Sequence, residues 1–317
     1  MRRGLALAAL IVLQAASPAA AGRLGGAYLE TGLGARALGL GGAQAASAEG
    51  PAAVLYNPAG LATSTGKGML ASYQPMSLDR TRSGLAAAMN PRGDLAFGLA
   101  WLHAGVGGLR GRSGSGEATG DLGSAEDAVI FGLGLRLSAA LQMGASLKVL
   151  RHRIEVPGSG ASTATGRGAD LGVRWSLSSR TALGVTARNL LDKLSWTVQR
   201  LSDQTSVTEE ALRSALSVGV SQVLRRGAMA AVEAEILDPA GDRELRGNFG
   251  LEWRLSDLLT LRGGLHRAGA GEGVGRPSFG VTVRPMRVEA FEVHYAYVAD
   301  EIGAGARTVF TLAGQLP

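Results

Sequence analysis

The sequence predicts an all-β protein, a transmembrane antiparallel barrel of about fourteen strands. Three observations carry that prediction. Apolar and polar residues alternate with a period of two through nearly the whole chain after residue 68; short connections take turns with long ones; and the chain opens on an export signal while holding no apolar run long enough for a membrane helix.

The export signal comes first. In MRRGLALAALIVLQAASPAAAG, Arg2 and Arg3 precede an apolar run from Leu5 to Leu13, with small residues at Ala19 and Ala21. That order reads as a secretory signal peptide spanning residues 1–21 and cut near Ala21. The run is too short to cross about 30 Å of hydrocarbon as a helix. Beyond residue 21 no stretch of 18 apolar residues occurs. An exported chain of this kind has one route into a membrane, a closed barrel whose backbone groups all find partners within the sheet.

Composition excludes several other classes. There is no cysteine, so neither a disulfide framework nor a thiolate metal site is available. The chain has 48 glycines in 317 residues, yet 46% of it is apolar, which argues against disorder. Two of the charges behind the formal net +6 leave with the signal peptide. The remaining arginines stand singly, without the basic face and interleaved aromatics of a nucleic-acid binder.

Strands are expected near 68–77, 81–91, 93–105, 124–138, 141–155, 166–179, 181–191, 210–224, 228–239, 243–256, 258–269, 276–286, 287–299 and 307–317. In the fourth, Val129, Phe131, Leu133, Leu135 and Leu137 oppose Gly132, Gly134 and Arg136. In the sixth, Leu171, Val173, Trp175 and Leu177 oppose Asp170, Gly172, Arg174 and Ser176. In the ninth, Val232, Ala234 and Ile236 oppose Glu233 and Glu235; in the tenth, Leu245, Phe249, Leu251, Trp253 and Leu255 oppose Arg246, Asn248, Glu252 and Arg254. Successive side chains of a strand point to opposite faces, so each segment has one apolar and one polar face. That pattern suits a wall between lipid and water.

Short links such as 90–94, 138–141, 178–181, 224–228 and 256–258 alternate with longer ones such as 106–123, 156–165 and 192–209, as periplasmic turns alternate with external loops. The Gly-, Ser- and Thr-rich stretches at 106–123 and 156–168 read as exposed loops. Segment 202–215 (SDQTSVTEEALRSA) reads either as a short helix starting near Ser206, with Glu209 completing a capping box, or as a run straight into the next strand. Trp101, Trp175, Trp253, Tyr295 and Tyr297 supply a thin aromatic belt. The last strand, TVFTLAGQLP, keeps its alternation but ends in proline.

The glycine-dense stretch before the first strand, GLGARALGLGGAQAASAEGPAAVLYNPAGLA, does not fit an anion loop. GLATSTGKG has five residues between Gly60 and Gly66 and a glycine after Lys67, unlike a Walker loop, and no strand and helix frame a dinucleotide fingerprint. It resembles instead the N-terminal segment of the PorV and PorQ family of outer-membrane barrels, related to the FadL and TodX transporters. The likeness rests on Gly34-Ala35-Arg36, Gly39, Gly41-Gly42-Ala43, a spacer around Glu49, and Asn57 to Leu61.

That resemblance implies a fourteen-stranded barrel at residues 68–317 in the bacterial outer membrane, with residues 22–67 folded into the lumen as a hatch. Glycine and alanine permit the close backbone approach this needs. Asn57 before Pro58 makes a turn, which serves equally as a hatch element or as an ordinary lead into the first strand. The function implied is a channel for small hydrophobic molecules; the alternative is a secretion-associated barrel that binds exported protein partners. Arg36, Asn57, Pro58, Ala59 and Gly60 are the expected hatch or ligand-pathway residues, and Arg174, Arg246, Glu252 and Arg254 the lumen-facing candidates. Outer-membrane lipid and the barrel-assembly machinery are the other expected partners, and no cofactor is implied. An enzyme is not expected: His103, His152, His266 and His294 are isolated, and neither a G-x-S-x-G elbow nor a metal-spaced histidine pair occurs.

Overall fold

The computed structural model describes residues 26–63, 66–112, 114–156, 160–199, 205–224, 227–239, 243–268, 275–285, 291–299 and 306–316; the expected signal peptide lies outside them. Their dominant feature is one antiparallel sheet. Its strands are β1 (Gly66–Pro75), β2 (Arg80–Asn90), β3 (Leu95–Arg112), β4 (Ala118–Arg136) and β5 (Leu141–Val156). Then come β6 (Gly160–Ser176), β7 (Thr181–Gln199), β8 (Thr205–Glu210), β9 (Ala215–Val223) and β10 (Ala228–Leu237). The last are β11 (Glu244–Arg254), β12 (Leu259–Ala268), β13 (Arg276–Val283), β14 (Phe291–Ala299) and β15 (Ala306–Leu316).

Neighbours in sequence are neighbours in the sheet, and two pairings close it. β1 pairs with β15, Ser72 standing opposite Thr311, and β6 pairs with β7. β7 pairs with β9 from Thr181 to Arg188 and with β8 from Leu194 to Gln199. β8 and β9 are therefore two pieces of one stave, and the closed barrel has fourteen staves. Closure removes the edges that an open sheet would offer to other chains.

Two expectations need correction. The stretches at 106–123, 156–168 and 192–209 are largely strand, since β3 runs on to Arg112 while β4 begins at Ala118 and β6 at Gly160, and β7 runs on to Gln199 with β8 following at Thr205. These extensions lie beyond the apolar part of the wall, where ladder hydrogen bonds persist without a hydrophobic alternation to announce them. The helix alternative for 202–215 also fails, because Thr205–Glu210 is strand β8, paired with β7. Tertiary pairing overrides the local capping signal there.

The outer face is apolar. Leu99, Phe131, Leu147, Leu171, Val185, Val218, Val232, Phe249, Leu251, Phe279, Val293, Phe310 and Leu312 all stand exposed on it. Trp175 and Trp253 lie toward the short-turn end, Trp101 and Tyr297 toward the other, so aromatic residues mark both borders of the belt. The inner face is small or polar: Ser72, Gln74, Arg82, Lys148, Asp170, Thr186, Glu233, Arg246, Thr282 and Thr311 are buried.

Residues 26–63 fill the space inside. They form α1 (Ala27–Glu30), α2 (Ala35–Gly39), a 3-10 turn at Gly50–Ala52, α3 (Ala53–Tyr56) and a second 3-10 stretch at Pro58–Thr63. α2 ends at Leu40, after which Gly41 (φ 66°) turns the chain where an L side chain would be strained. Leu29, Leu33, Val54, Leu55 and Leu61 pack against Ala100, Leu102, Ile130, Leu150 and Leu194 of the wall. Each fully buried leucine contributes about 2 kcal/mol.

Candidate functional site

The inner wall carries glycine where the N-terminal segment lies against it. A Cβ at Gly172 of β6 would overlap the Asn57 side-chain oxygen and stand 3.0 Å from Pro58 Cδ. One at Gly264 of β12 would overlap the backbone of Gly41. These inward glycines alternate with outward leucines and valines, so the strand pattern that makes the lipid face also makes the seat.

Asn57 holds the turn together. It is 1% exposed, its amide nitrogen donates to Ala45 O at 2.5 Å and to Val173 O at 3.3 Å, and its side-chain oxygen accepts from Ala59 N at 3.1 Å. Gly60 N donates to Asn57 O at 2.8 Å, closing the turn around Pro58. Pro58, Ala59 and Gly60 are all buried, and a Cβ at Gly60 would overlap the carbonyl of Ala48.

Charged contacts pin the segment at two levels. Toward the short-turn end, Arg36 Nη1 lies 2.9 Å from Glu49 and its Nε 3.1 Å from Glu252 of β11, which also receives Arg262 Nε at 2.6 Å. Burial works against the charge of Arg36, but the Glu49 and Glu252 carboxylates outweigh it and hold the guanidinium above its ordinary pKa. Toward the other end, Glu30 accepts from Arg246 at 3.3 Å and from Arg267 at 3.2 Å. Between them, Glu233 of β10 takes the backbone N–H groups of Gln44 and Ala45 at 2.7 and 2.6 Å, and His266 Nε2 donates to Leu38 O at 2.7 Å.

Two uncharged contacts complete the seating. Tyr56 donates to Leu33 O at 3.0 Å and accepts from Leu33 N at 2.7 Å; burial pushes the phenol up to about 12, so it keeps its proton. Ala35 N donates to Thr311 Oγ1 at 2.9 Å, and that hydroxyl donates to Ser72 Oγ at 3.1 Å, directly across the pairing of first and last strands.

Spaces remain on either side of the segment. A small chamber of about 50 Å³ is lined by Glu30, Tyr56, Arg188, Glu233, His266 and Arg307 among others. A vestibule of about 390 Å³ opens at the short-turn end, where Arg36, Glu49, Glu252 and Arg254 meet the apolar Leu33, Leu61, Leu70 and Ala88. Gln44 borders both.

The barrel of fourteen staves has counterparts among solved structures. The TodX deltaS2S3 mutant monoaromatic hydrocarbon channel superposes with a TM-score of 0.66 at 14% identity, covering 90% of this chain and 99% of that one. The Pseudomonas putida toluene transporter TodX gives 0.64 at 13%, covering 89% and 96%, and a Pseudomonas aeruginosa FadL homologue 0.58 at 13%, covering 86% and 95%. The fold is that of the TodX and FadL-type barrels. No family model matches the sequence, and no curated protein does.

Within that fold the expected residues fall into two groups. Arg36 and Glu252 meet each other, and Asn57 to Gly60 form one buried turn, as given above. Arg174 donates to Ala46 O at 3.1 Å and to Gln142 and Ser176, and Arg246 joins Glu30 to Glu244, so both face inward. Arg254 lies in the inward register but at the exposed rim of the vestibule. The four histidines stay apart: His103 is on the outer wall beside Asp127, while His152, His266 and His294 face inward with Glu126, Leu38 O and Thr282. Sequence reasoning passed over Gln44 and Glu30, and took Glu233 and the inward glycines only as parts of a polar face. The signal available was the regular placement of Gly132, Gly134 and Gly172 at inward positions.

Proposed function

We propose that the chain is an outer-membrane channel for small hydrophobic molecules, with residues 26–63 as a hatch in its lumen. The carrying observation is the buried N-terminal segment inside a fourteen-stave barrel of a fold shared with hydrocarbon channels. An apolar outer belt bounded by aromatic residues supports residence in the bilayer. The vestibule pairs apolar Leu33, Leu61 and Leu70 with a charged rim, a lining that admits a small hydrophobic molecule and releases it to water.

On this reading Arg36, Asn57, Pro58, Ala59 and Gly60 hold the hatch, while Arg174, Arg246, Glu252 and Arg254 face the path. The resemblance to PorV and PorQ suggests binding of exported proteins instead; the fold neighbours named for hydrocarbons favour transport. Uptake of a labelled monoaromatic hydrocarbon by cells lacking their own hydrocarbon channels tests the assignment. Uptake that rises on expression of the inserted barrel supports it; a correctly inserted barrel giving no rise sinks it.

A second arm tests the hatch. The native chain has no cysteine, so Ala35→Cys with Thr311→Cys provides a single reversible clamp. Uptake lost on oxidation and restored by reductant shows that the segment moves, and uptake insensitive to the clamp shows a fixed plug.

A further inference from the structure

We propose that the outer wall from β5 to β7 carries a binding patch for the phosphate groups of anionic lipid headgroups, centred on Arg151 and Arg167. It rests on the membrane placement of the channel reading, with the long-loop end toward the outer leaflet.

The charges begin at one border. Along β4 the outward residues Leu135, Leu133, Phe131 and Val129 give way to Asp127; along β5, Leu147 and Val149 give way to Arg151 and Arg153; along β6, Leu171 gives way to Arg167; along β7, Leu191 gives way to Lys193. Register places these side by side, with His103 opposite Asp127, Asp127 opposite Arg151, and Arg167 opposite Lys193. Arg151 pairs with Thr165 and Arg167 with Val149, which makes the two arginines diagonal neighbours about 7 Å apart.

Most of the surrounding charges are already engaged. Lys193 lies 2.5 Å from Glu209, Arg153 2.6 Å from Glu155, and Asp127 takes both His103 at 2.9 Å and Trp101 Nε1 at 3.1 Å. Among the described residues Arg151 and Arg167 have no ion pair. Two exposed guanidiniums on one wall suit bidentate acceptance by phosphate oxygens.

The position selects a lipid as the source. Leu147 (63% exposed) and Val149 (65%) lie directly below Arg151 on the same strand, so a ligand whose phosphate meets the arginines can lay an acyl chain on them. Charge on a lipid-facing wall is costly at mid-depth and nearly free at the border, where headgroups lie. The patch is also one-sided: toward the same rim, the outward positions of β10, β11, β14 and β15 hold Ile236, Leu245, Tyr297 and Thr308. A general solvation band would run round the whole barrel.

The test uses the full barrel in nanodiscs of phosphatidylcholine doped with a bisphosphorylated glycolipid or with its dephosphorylated counterpart, read by native mass spectrometry. The wild type retains the phosphorylated lipid preferentially. Arg151→Gln with Arg167→Gln weakens retention about tenfold, and Arg151→Lys with Arg167→Lys, which keeps the charge without the planar fork, gives an intermediate loss. Equal retention of the two lipids, or unchanged retention in the glutamine pair, overturns the patch. Heat-modifiable migration confirms that each variant is folded. Hydrocarbon uptake is measured on the same proteins: a wild type that binds the lipid without uptake sinks the channel and leaves the patch, while intact uptake with no lipid preference does the reverse.

Discussion

The side chain of Asn57 rests against the backbone of Gly172 on β6, with its amide nitrogen shared between Ala45 O and Val173 O. Gly172→Ala therefore drives a methyl group into the turn at Asn57-Pro58. Overpacking of this kind costs about 1–3 kcal/mol, to be read as a lower midpoint of heat-modifiable migration. Gly263→Ala, where a Cβ would meet nothing within 4 Å, leaves the midpoint unchanged. Equal midpoints for the two variants would show that the turn is not seated on Gly172.

Asn57→Asp replaces a donor with a group that faces two carbonyl oxygens. Burial and those oxygens disfavour the carboxylate, so its folded pKa lies above the unfolded value of about 3.9. A raised folded pKa means stability present below the unfolded pKa and lost as pH rises through the folded one. The variant's segment is thus protease-sensitive at neutral pH and recovers protection in acid. Asn57→Ala loses about 1–3 kcal/mol at all pH values, because Ala45 O loses its donor either way. Identical pH profiles for the two variants would count against the buried amide.

Arg36 and Glu252 join the segment to β11, and Glu252 keeps Arg262 when Arg36 is removed. Arg36→Gln alone is expected to cost about 1–3 kcal/mol of segment stability, and Arg36→Gln with Glu252→Gln less than the sum of the singles. Protection of the segment from protease, measured across the four members of the cycle, gives the coupling. Strict additivity would remove the latch.

The barrel was legible because lipid imposes a strict test on every second residue. All fourteen staves follow from runs such as Val129 to Leu137 and Leu245 to Trp253, although β3, β4, β6 and β7 run six to eight residues past their expected ends at the long-loop side. The runs 106–112 and 160–165 were not legible as strand, since above the apolar border neither face must be hydrophobic. For the segment inside the barrel, the sequence pointed to Asn57 and Arg36 through their motif. It could not point to Gln44, Glu30 or His266, whose roles depend on which distant strand they meet.

Gln44 borders both the inner chamber and the vestibule, so the partition between them is thin at that side chain. Gln44→Ala is expected to raise ionic conductance of the barrel in planar bilayers, and Gln44→Trp to lower it. Conductance unmoved by both substitutions would place the route elsewhere in the lumen.

Ala35 donates to Thr311, and Thr311 to Ser72, at the line where the first and last strands pair. The segment inside the barrel therefore touches the line along which the sheet closes. The run of hydrogen bonds from Ala35 through Thr311 to Ser72 is complete only when β15 lies on β1, so seating the segment and closing the ring share one hydroxyl. Thr311 thus answers to two neighbours at once, the strand beside it and the segment above it, and a change at that one side chain reaches both the seam and the seat.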